Sequence, residues 1–272
     1  TREIHRGGQG VVYEAIQQTT KRQVAIKVLL EGQTASISAR KRFEREIEVV
    51  AGLRHSNIVT IFDTGRTADG RDYYVMDFVT GQSLDVYVRD RRLGVSDVLP
   101  LFVRIARAMG YAHDQGVVHR DLKPSNVMVD EQGNPRIMDF GLAKALDQDA
   151  RTIVSMTGQV FGTLPYMSPE QARGLSTARG GRCGISATGG VLYELLGGCY
   201  PYGTRGPVTA VLKTICETPP DRPSKAWRVE VGVVTGRTRS WRAGGCPIDD
   251  DLETILLKCL NKEPERRYQT AG

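Results

Sequence analysis

The first 80 residues alternate between short apolar runs and polar turns, a pattern typical of a small β-sheet. Four runs rich in β-branched and aromatic residues predict strands, at residues 11–15, 23–29, 57–63 and 73–79. Polar turns at residues 19–21 and 68–70 separate the members of each pair. Between the pairs, residues 38–53 place apolar side chains three and four positions apart, which predicts a helix.

After Gly81 the apolar positions follow the period of a helix. Residues 99–115 carry one apolar face and end at Gly116, and residues 191–196 and 252–260 predict shorter helices. The whole pattern predicts a small β-rich lobe, a connector at residues 77–82 and a larger α-rich lobe.

Two stretches, residues 174–190 and 229–245, fit neither period. The first contains six glycines, and each glycine costs about 1 kcal/mol in a helix interior. Residues 174–190 are therefore predicted to form at most a weak helix.

Length and composition are those of a globular chain. The 272 residues suit one or two domains, and 40% hydrophobic and 25% charged residues are ordinary values. The sequence has no run of about 18 apolar residues and no apolar segment after its first residues, so neither a membrane span nor a signal peptide is expected. Five widely spaced cysteines without a C-x-x-C pair argue against a disulfide framework or a zinc site and favour a reducing cytosol.

The basic charge is concentrated in one region. The chain has a net charge of +6 and a pI of about 9.1, values compatible with a nucleic-acid partner. Residues 173–245 alone contain eleven Lys and Arg against four Asp and Glu, so the rest of the chain is close to neutral. Neither a recognition helix nor an aromatic-rich basic sheet accompanies this region, and we expect no nucleic acid to bind.

The most specific signal is HRDLKPSN at residues 119–126, followed by DFG at 139–141. These segments contain an acid that accepts a hydroxyl proton, a cation and two oxygen ligands for Mg²⁺, which are parts that phosphoryl transfer needs. They resemble the catalytic loop and the metal-binding turn of Hanks-type (eukaryotic-like) protein kinases, and lysine followed by PSN resembles the serine/threonine kinases.

The resemblance covers nearly the whole chain and implies an α+β, two-lobed kinase-like fold. The N-lobe would be residues 1–76, the hinge 77–82 and the α-helical C-lobe 83–272. Residues 1–272 are then one catalytic domain, truncated at both ends, and segments such as YMSPE at 166–170 resemble the bacterial members. The implied cofactors are ATP and Mg²⁺, bound between the lobes.

Residues 7–12, GGQGVV, offer glycines where backbone amides can approach phosphate oxygens. A strand follows them, whereas a Rossmann or Walker motif leads into a helix. The segment resembles the loop that covers the nucleotide phosphates in kinases, with Gly7, Gly10 and Val12 in place and His5 where the first glycine is expected. We expect His5 to weaken nucleotide affinity without abolishing it.

Lys27 lies in a strand that is otherwise apolar. Taken alone, it is equally compatible with a surface lysine whose aliphatic stem is buried. The kinase resemblance implies instead that Lys27 pairs with Glu46 of the following helix. That pair would direct the ammonium group to the α- and β-phosphates of ATP.

The strand at residues 73–79 resembles the one that enters the kinase hinge. The resemblance implies that Met76 is the gatekeeper behind adenine and that the backbones of Asp77 and Val79 bind the adenine edge. Ala25 and Met128 would lie on the two faces of the ring. Plain core packing accounts equally well for each apolar residue in this set.

The resemblance also assigns roles in the catalytic loop. Asp121 is the base or orienter of the attacking hydroxyl, and Lys123 neutralises charge on the transferred phosphoryl group. Asn126 and Asp139 are the Mg²⁺ ligands. Thr163 is expected to contact Asp121 and Lys123 at the substrate site.

Residues 139–170 resemble an activation segment with several hydroxyls, and Arg120 precedes the catalytic aspartate. The combination implies that a phosphate on the segment pairs with Arg120 and orders it. We predict Thr157 as the first phosphorylation site and Ser155 as the second.

Two further family positions concern structure. Glu170 is expected to form a buried ion pair with Arg267. Gly184 stands where the family has an aspartate that accepts hydrogen bonds from the catalytic-loop backbone, and its loss would cost about 1–3 kcal/mol. Two explanations remain open for the departures at residues 174–190 and 229–245: true divergence with impaired activity, or a local disturbance of the reading frame.

The sequence thus predicts an ATP-dependent serine/threonine protein kinase that is regulated by phosphorylation of its activation segment. Protein substrates are the expected partners, together with a second copy of the chain for trans-autophosphorylation, and the expected location is cytoplasmic. The alternative is a pseudokinase, a binding or scaffold module with impaired catalysis. His5 and Gly184 favour that alternative. It is opposed by the retained residues Lys27, Asp121, Asn126 and Asp139.

Overall fold

A computed structural model of the protein describes residues 1–30, 37–142, 163–175, 180–225, 246 and 248–272. The chain begins with a five-stranded antiparallel sheet in the order β1-β2-β3-β5-β4. Its strands are β1 (Arg2–Arg6), β2 (Gly10–Ile16), β3 (Gln23–Leu29), β4 (Ile61–Arg66) and β5 (Asp72–Asp77). Helix α1 (Ile37–Ala51) lies between β3 and β4 in the chain and buries Phe43, Ile47 and Val50.

The register of this sheet places one set of side chains on a common face. Val12 lies opposite Lys27, and Lys27 lies opposite Tyr74. Ala25 is likewise opposite Met76. Because directly opposed residues share a face and side chains alternate along a strand, all five lie on the same side of the sheet.

The second part of the chain is mainly helical around a small sheet of β6 (Gly81–Ser83), β7 (Val127–Asp130) and β8 (Pro135–Ile137). Its helices are α2 (Leu84–Asp90), α3 (Val95–Asp114), α4 (Pro169–Ala172), α5 (Gly181–Gly197), α6 (Val208–Glu217) and α7 (Asp250–Cys259). Three 3-10 turns complete the described elements: Pro124–Asn126, Leu164–Tyr166 and Pro264–Arg266. One apolar core runs through both parts of the chain.

Residues 57–59 and Ile137 form a backbone clamp that joins the two parts of the chain. The Val59 N–H donates to the Ile137 carbonyl at 2.9 Å, and the Ile137 N–H donates to the Asn57 carbonyl at 2.8 Å. Ile58 and Ile137 form an isolated parallel bridge. The predicted strand at 57–63 is therefore wrong in its first half: residues 57–59 pair with β8, and β4 begins at Ile61.

Helix α5 contradicts the weak-helix prediction for residues 174–190, because a full helix begins at Gly181. Residues 183–197 are almost all buried, so tertiary packing outweighs the low helix propensity of glycine. The glycines also permit close approach: a Cβ on Gly184 would overlap the His113 ring, and one on Gly189 would lie 2.5 Å from the Cβ of Cys259. Residues 229–245 lie outside the described ranges.

The cysteines and the helices bear on two expectations from composition. None of the five cysteines forms a disulfide in the part of the chain that the structure describes. In the same part, no helix combines the length and the apolar character that crossing a bilayer requires.

Candidate active site

The proposed base, Asp121, is fixed by short contacts from its own loop. Its side chain is buried, at 2% exposure for the residue. The Asn126 amide nitrogen donates to the Asp121 carbonyl at 2.8 Å and to Oδ2 at 3.2 Å. The Lys123 ammonium lies 3.2 Å from Oδ2. These contacts hold the carboxylate in one orientation beside a cation.

The 3-10 turn Pro124–Asn126 explains why this short segment can do so. Proline at its first position fixes φ in advance, and the Asn126 N–H closes the turn on the Lys123 carbonyl at 2.9 Å. The Lys123 ammonium also reaches the Thr163 hydroxyl at 3.4 Å, so the predicted Lys123–Thr163 contact is present.

His119 links the catalytic loop to the residues around Phe140. Its ring is fully buried, packs 4.6 Å from the Phe140 ring and has Nε2 at 2.9 Å from the Met138 carbonyl. Burial lowers the pKa of His119 to about 4, so the imidazole is neutral at neutral pH. A neutral ring donates one N–H to a carbonyl without placing a charge in the core.

The backbone around the two segments adopts left-handed conformations. Arg120 has φ of 59° and Asp139 has φ of 60°, values that non-glycine residues adopt only at some cost. Gly141 has φ of 42°, and a Cβ there would lie 2.7 Å from the His119 carbonyl oxygen. Such conformations cluster at functional sites, where surrounding contacts hold them.

Lys27 and Asp139 form a buried ion pair. The Lys27 ammonium lies 2.8 Å from Oδ2 of Asp139, and both side chains are at most 10% exposed. The Tyr74 hydroxyl donates to the other oxygen, Oδ1, at 2.7 Å. Burial alone would raise the pKa of Asp139, but the charge and hydrogen bond of Lys27 and the hydrogen bond of Tyr74 lower it. Asp139 is therefore a carboxylate.

The predicted Lys27–Glu46 pair is wrong for this structure. Glu46 instead pairs with Arg120, whose Nη1 lies 2.9 Å from Oε2 and 3.0 Å from Oε1. A buried lysine does require a carboxylate, and in this structure Asp139 supplies it at 2.8 Å. Helix α1 then directs Glu46 to the catalytic loop.

The glycine loop (residues 7–12) contacts the catalytic loop (residues 119–126). The Gly7 N–H donates to the Gly10 carbonyl at 3.0 Å, and the Gln9 amide reaches Oδ2 of Asp121 at 3.4 Å. Gly10 has no room for a side chain, since a Cβ would lie 2.5 Å from the Val28 carbonyl oxygen. His5 pairs with Val12 after a register shift in β1, and its ring lies beside Gly7.

The hinge residues lie at the end of β5. Met76 and Ala25 are opposed in register and buried, while Val79 and Met128 are half-buried. The Asp77 N–H donates to the Thr60 carbonyl at 3.0 Å. Any contact of the Asp77 backbone with an adenine must therefore use its carbonyl oxygen.

The Glu170–Arg267 ion pair is present. Two parallel hydrogen bonds of 2.6 and 2.8 Å join the guanidinium to the carboxylate, and Arg267 is 2% exposed. Arg267 also donates to the carbonyls of Asn261 and Arg182 at 2.7 and 2.9 Å. The neighbouring Gln171 amide donates to the Arg120 carbonyl at 3.1 Å, which links this pair to the catalytic loop.

Comparison with known proteins decides the family. The protein kinase domain family matches residues 1–271. The chain belongs to this family. The serine/threonine-protein kinase PrkC of Bacillus subtilis is 36% identical over 273 residues, which are 99% of this chain and 38% of that protein. A probable serine/threonine-protein kinase of Clostridium acetobutylicum is 34% identical over 274 residues, 99% of this chain and 37% of that protein.

The kinase domain thus spans less than two fifths of the length of these two relatives. The crystal structure of the PknI kinase domain of Mycobacterium tuberculosis has a TM-score of 0.71 at 24% identity and covers 99% of this chain and 89% of that one. The predicted family and the predicted α+β kinase fold are both confirmed.

The kinase domain has an oxygen donor set that fits Mg²⁺ only together with phosphates. Asn126 donates through its nitrogen to Asp121, which leaves its amide oxygen for a cation. Within the described ranges, no cluster of three or more His, Cys, Asp or Glu residues could hold a metal alone. Asn126 and Asp139 with nucleotide phosphates and water match the way Mg²⁺ is bound at such sites.

Gly184 of the kinase domain has no side chain where a carboxylate was expected, and this leaves room beside the helix. The His113 ring fills that space, and neither of its nitrogens has a hydrogen-bond partner in the part of the chain that the structure describes. Burial lowers the pKa of His113, although Asp114 opposes this shift. The ring therefore replaces the missing side chain by volume and not by charge.

Besides the two ion pairs of Lys27 and Glu46, two further contacts of the kinase domain were not predicted from its sequence. Gln9 at the tip of the glycine loop contacts Asp121, and Tyr74 contacts Asp139. The only available signals were a polar residue among glycines and a hydroxyl in a buried strand. The predicted phosphorylation sites Thr157 and Ser155 lie outside the described residues.

Proposed function

We propose that this domain is an ATP-dependent protein kinase that transfers the γ-phosphate to serine or threonine hydroxyls of proteins. The observation that carries the proposal is the convergence on Oδ2 of Asp121, which Lys123 and Asn126 both approach to 3.2 Å and which Gln9 of the glycine loop reaches at 3.4 Å. Phosphoryl transfer depends on positioning and charge neutralisation, and these groups supply both.

Each residue has a distinct part in the proposed reaction. Asp121 orients the acceptor hydroxyl and takes up its proton. Lys123, which contacts Asp121 and Thr163, neutralises the transferred phosphoryl group. Bound Mg²⁺ would neutralise charge on the nucleotide phosphates, and Asn126 and Asp139 would hold it.

The nucleotide is proposed to lie on the common face of the N-terminal sheet, between the lobe of residues 1–76 and that of residues 83–272. Val12, Ala25 and Met76 share this face with Lys27, so apolar contacts for a ring and a cation for phosphates occur on one surface. Residues 77–82 connect the lobes beside the proposed adenine position. Gly7, Gly10, Val79 and Met128 complete the proposed binding residues.

Regulation by phosphorylation is supported by the state of Arg120. Its guanidinium pairs with Glu46, so the residue that would receive an activation-segment phosphate is bonded to a carboxylate of α1. A phosphate on Thr157, or on Ser155, carries more charge than a carboxylate and would compete for Arg120. Glu46 would then be released to pair with Lys27.

Further proposals concern the setting of the reaction. A second copy of the chain is proposed to phosphorylate the first in trans, and protein substrates to bind near Thr163. No disulfide joins the five cysteines within the described residues, which is compatible with a reducing compartment, and we place the domain in the cytoplasm.

A phosphate-transfer assay with Mg²⁺, γ-labelled ATP and a basic protein substrate tests the function. Asp121→Asn should lower the rate by about 100-fold or more, because the carboxylate that accepts the proton is lost. Asp251→Asn, an exposed aspartate on α7, is the matched control and should keep the wild-type rate. Equal rates for the wild type and Asp121→Asn would reject the proposal and favour the pseudokinase.

A further inference from the structure

Tyr74 is a hydroxyl in the buried face of the N-terminal sheet. The residue is 2% exposed, and the burial alternation of β5 places its side chain on the same face as those of Asp72 and Met76. Its hydroxyl donates to Oδ1 of Asp139 at 2.7 Å, across 65 residues of sequence. A phenylalanine would fill the same volume, so packing does not explain the hydroxyl.

Tyr74 and Lys27 act on one carboxylate together. They are direct cross-strand neighbours on β5 and β3. Tyr74 takes Oδ1 of Asp139, and Lys27 takes Oδ2 at 2.8 Å. Each oxygen of the proposed metal ligand therefore accepts a short bond from a donor of the sheet.

The two donors respond differently to a bound metal and nucleotide. The Lys27 ammonium is attracted to phosphate oxygens and repelled by Mg²⁺, so it leaves Asp139 readily. The Tyr74 hydroxyl is neutral and has no other hydrogen-bond partner among the described residues. Turning Asp139 away would leave a buried hydroxyl unsatisfied.

We propose that Tyr74 is a positioning residue that retains Asp139 in the metal-free arrangement and so sets the Mg²⁺ concentration at which the nucleotide-loaded domain takes up its metal. This inference rests on the proposed kinase function, because it requires Asp139 to be a metal ligand. It assigns Tyr74 a part in metal uptake and none in the transfer step.

The test compares Tyr74→Phe with Tyr73→Phe. Tyr73 is the adjacent residue, lies half-buried on the opposite face of β5, and serves as the matched control. Calorimetric titration of Mg²⁺ into the ADP-saturated protein gives the metal affinity without catalysis. Tyr74→Phe should bind Mg²⁺ about three- to tenfold more tightly, since a hydrogen bond to a charged group no longer opposes uptake. Tyr73→Phe should bind as the wild type does.

A second readout uses the wild-type protein alone. Tyrosine labelled with ¹³C at Cζ and incorporated only at position 74 gives a single Tyr74 resonance, which needs no variant for its assignment. This resonance should shift when Mg²⁺ is added to the ADP complex and stay unchanged with ADP alone. If Tyr74→Phe does not fold, this measurement still decides the point.

The outcomes separate the inference from the proposed function. Unchanged or weaker Mg²⁺ binding by Tyr74→Phe, or a Tyr74 resonance that ignores Mg²⁺, overturns the inference and leaves the kinase proposal in place. A wild-type protein that binds ADP but no Mg²⁺ overturns both.

Discussion

Glu46 forms its ion pair with Arg120, the residue before the proposed base, and not with Lys27. Lys27 forms its own pair with Asp139. The two pairs complement each other, since exchanging partners would place Glu46 on Lys27 and free both Asp139 and Arg120. One movement of α1 would therefore link the proposed phosphate-binding lysine, the proposed metal ligand and the arginine that would receive a regulatory phosphate.

Replacing Arg120 should make activity independent of phosphorylation. In Arg120→Gln, Glu46 loses its cationic partner and a phosphate on the activation segment loses its receiver. We expect the activity ratio of autophosphorylated to phosphatase-treated protein, well above one in the wild type, to approach one. Arg104→Gln, at an exposed site on α3, is the control. A ratio in Arg120→Gln equal to that of the wild type would contradict the exchange.

Breaking the Glu170–Arg267 pair should destabilise the fold strongly. Glu170→Gln leaves the charge of a 2%-exposed guanidinium uncompensated, and the free energy of unfolding should fall by about 3–5 kcal/mol. Urea denaturation measures the loss. Glu14→Gln removes the partner of the exposed Arg2 and should cost less than about 1 kcal/mol. Similar losses in the two variants would show that burial does not increase the contribution of the Glu170–Arg267 pair to the free energy of unfolding.

The effect of a methyl group at position 184 should change sign with residue 113. In Gly184→Ala the new Cβ overlaps the His113 ring, so the free energy of unfolding should decrease by about 1–3 kcal/mol. In the His113→Ala background the same change meets no ring, and the better helix propensity of alanine should stabilise by about 1 kcal/mol. Chemical denaturation of the four proteins gives the coupling energy. Additive effects would show that the His113 ring does not occupy this space.

Stability should fall in acid partly through His119. Its pKa is about 4 when folded and about 6.5 when unfolded, so the unfolded chain takes up a proton first. The contribution of neutral His119 is complete above pH 6.5 and is lost as the pH falls to 4, by about 3 kcal/mol in total. His119→Phe keeps a ring against Phe140 and should show a shallower decline over this range. Parallel curves for the two proteins would exclude His119 as the cause.

The sequence located most groups of the site but not all of their partners. Asp121, Lys123 and Asn126 lie in one short segment, so local geometry determines how they meet. The partner of Lys27 depends on where α1 lies relative to the sheet, and two ion-pair arrangements are available to the same residues. A sequence pattern contains no information on which arrangement has the lower free energy.

Burial explains two other differences. Tyr74 is indistinguishable in sequence from a core aromatic residue. The hydrogen bond of its hydroxyl to Asp139 depends on the tertiary fold. Residues 181–190 are poor helix formers, yet they belong to α5 because surrounding elements pack against nearly all sides of it. Propensity describes an isolated segment, whereas this helix is stabilised by its neighbours.

The clamp between residues 57–59 and Ile137 fixes the chain near the C-terminal end of α1, so the helix can rotate about that end. It ties the chain just after α1 to β8, two residues before Asp139, so the C-terminal end of the helix is the pivot. Glu46 lies five residues before the helix ends at Ala51, roughly 8 Å along its axis. A swing of about 30° would carry its backbone roughly 4 Å, while the start of the helix would travel about three times as far. A partner that displaces the start of α1 would therefore need a smaller force to break the Glu46–Arg120 ion pair than one that acts at Glu46 itself.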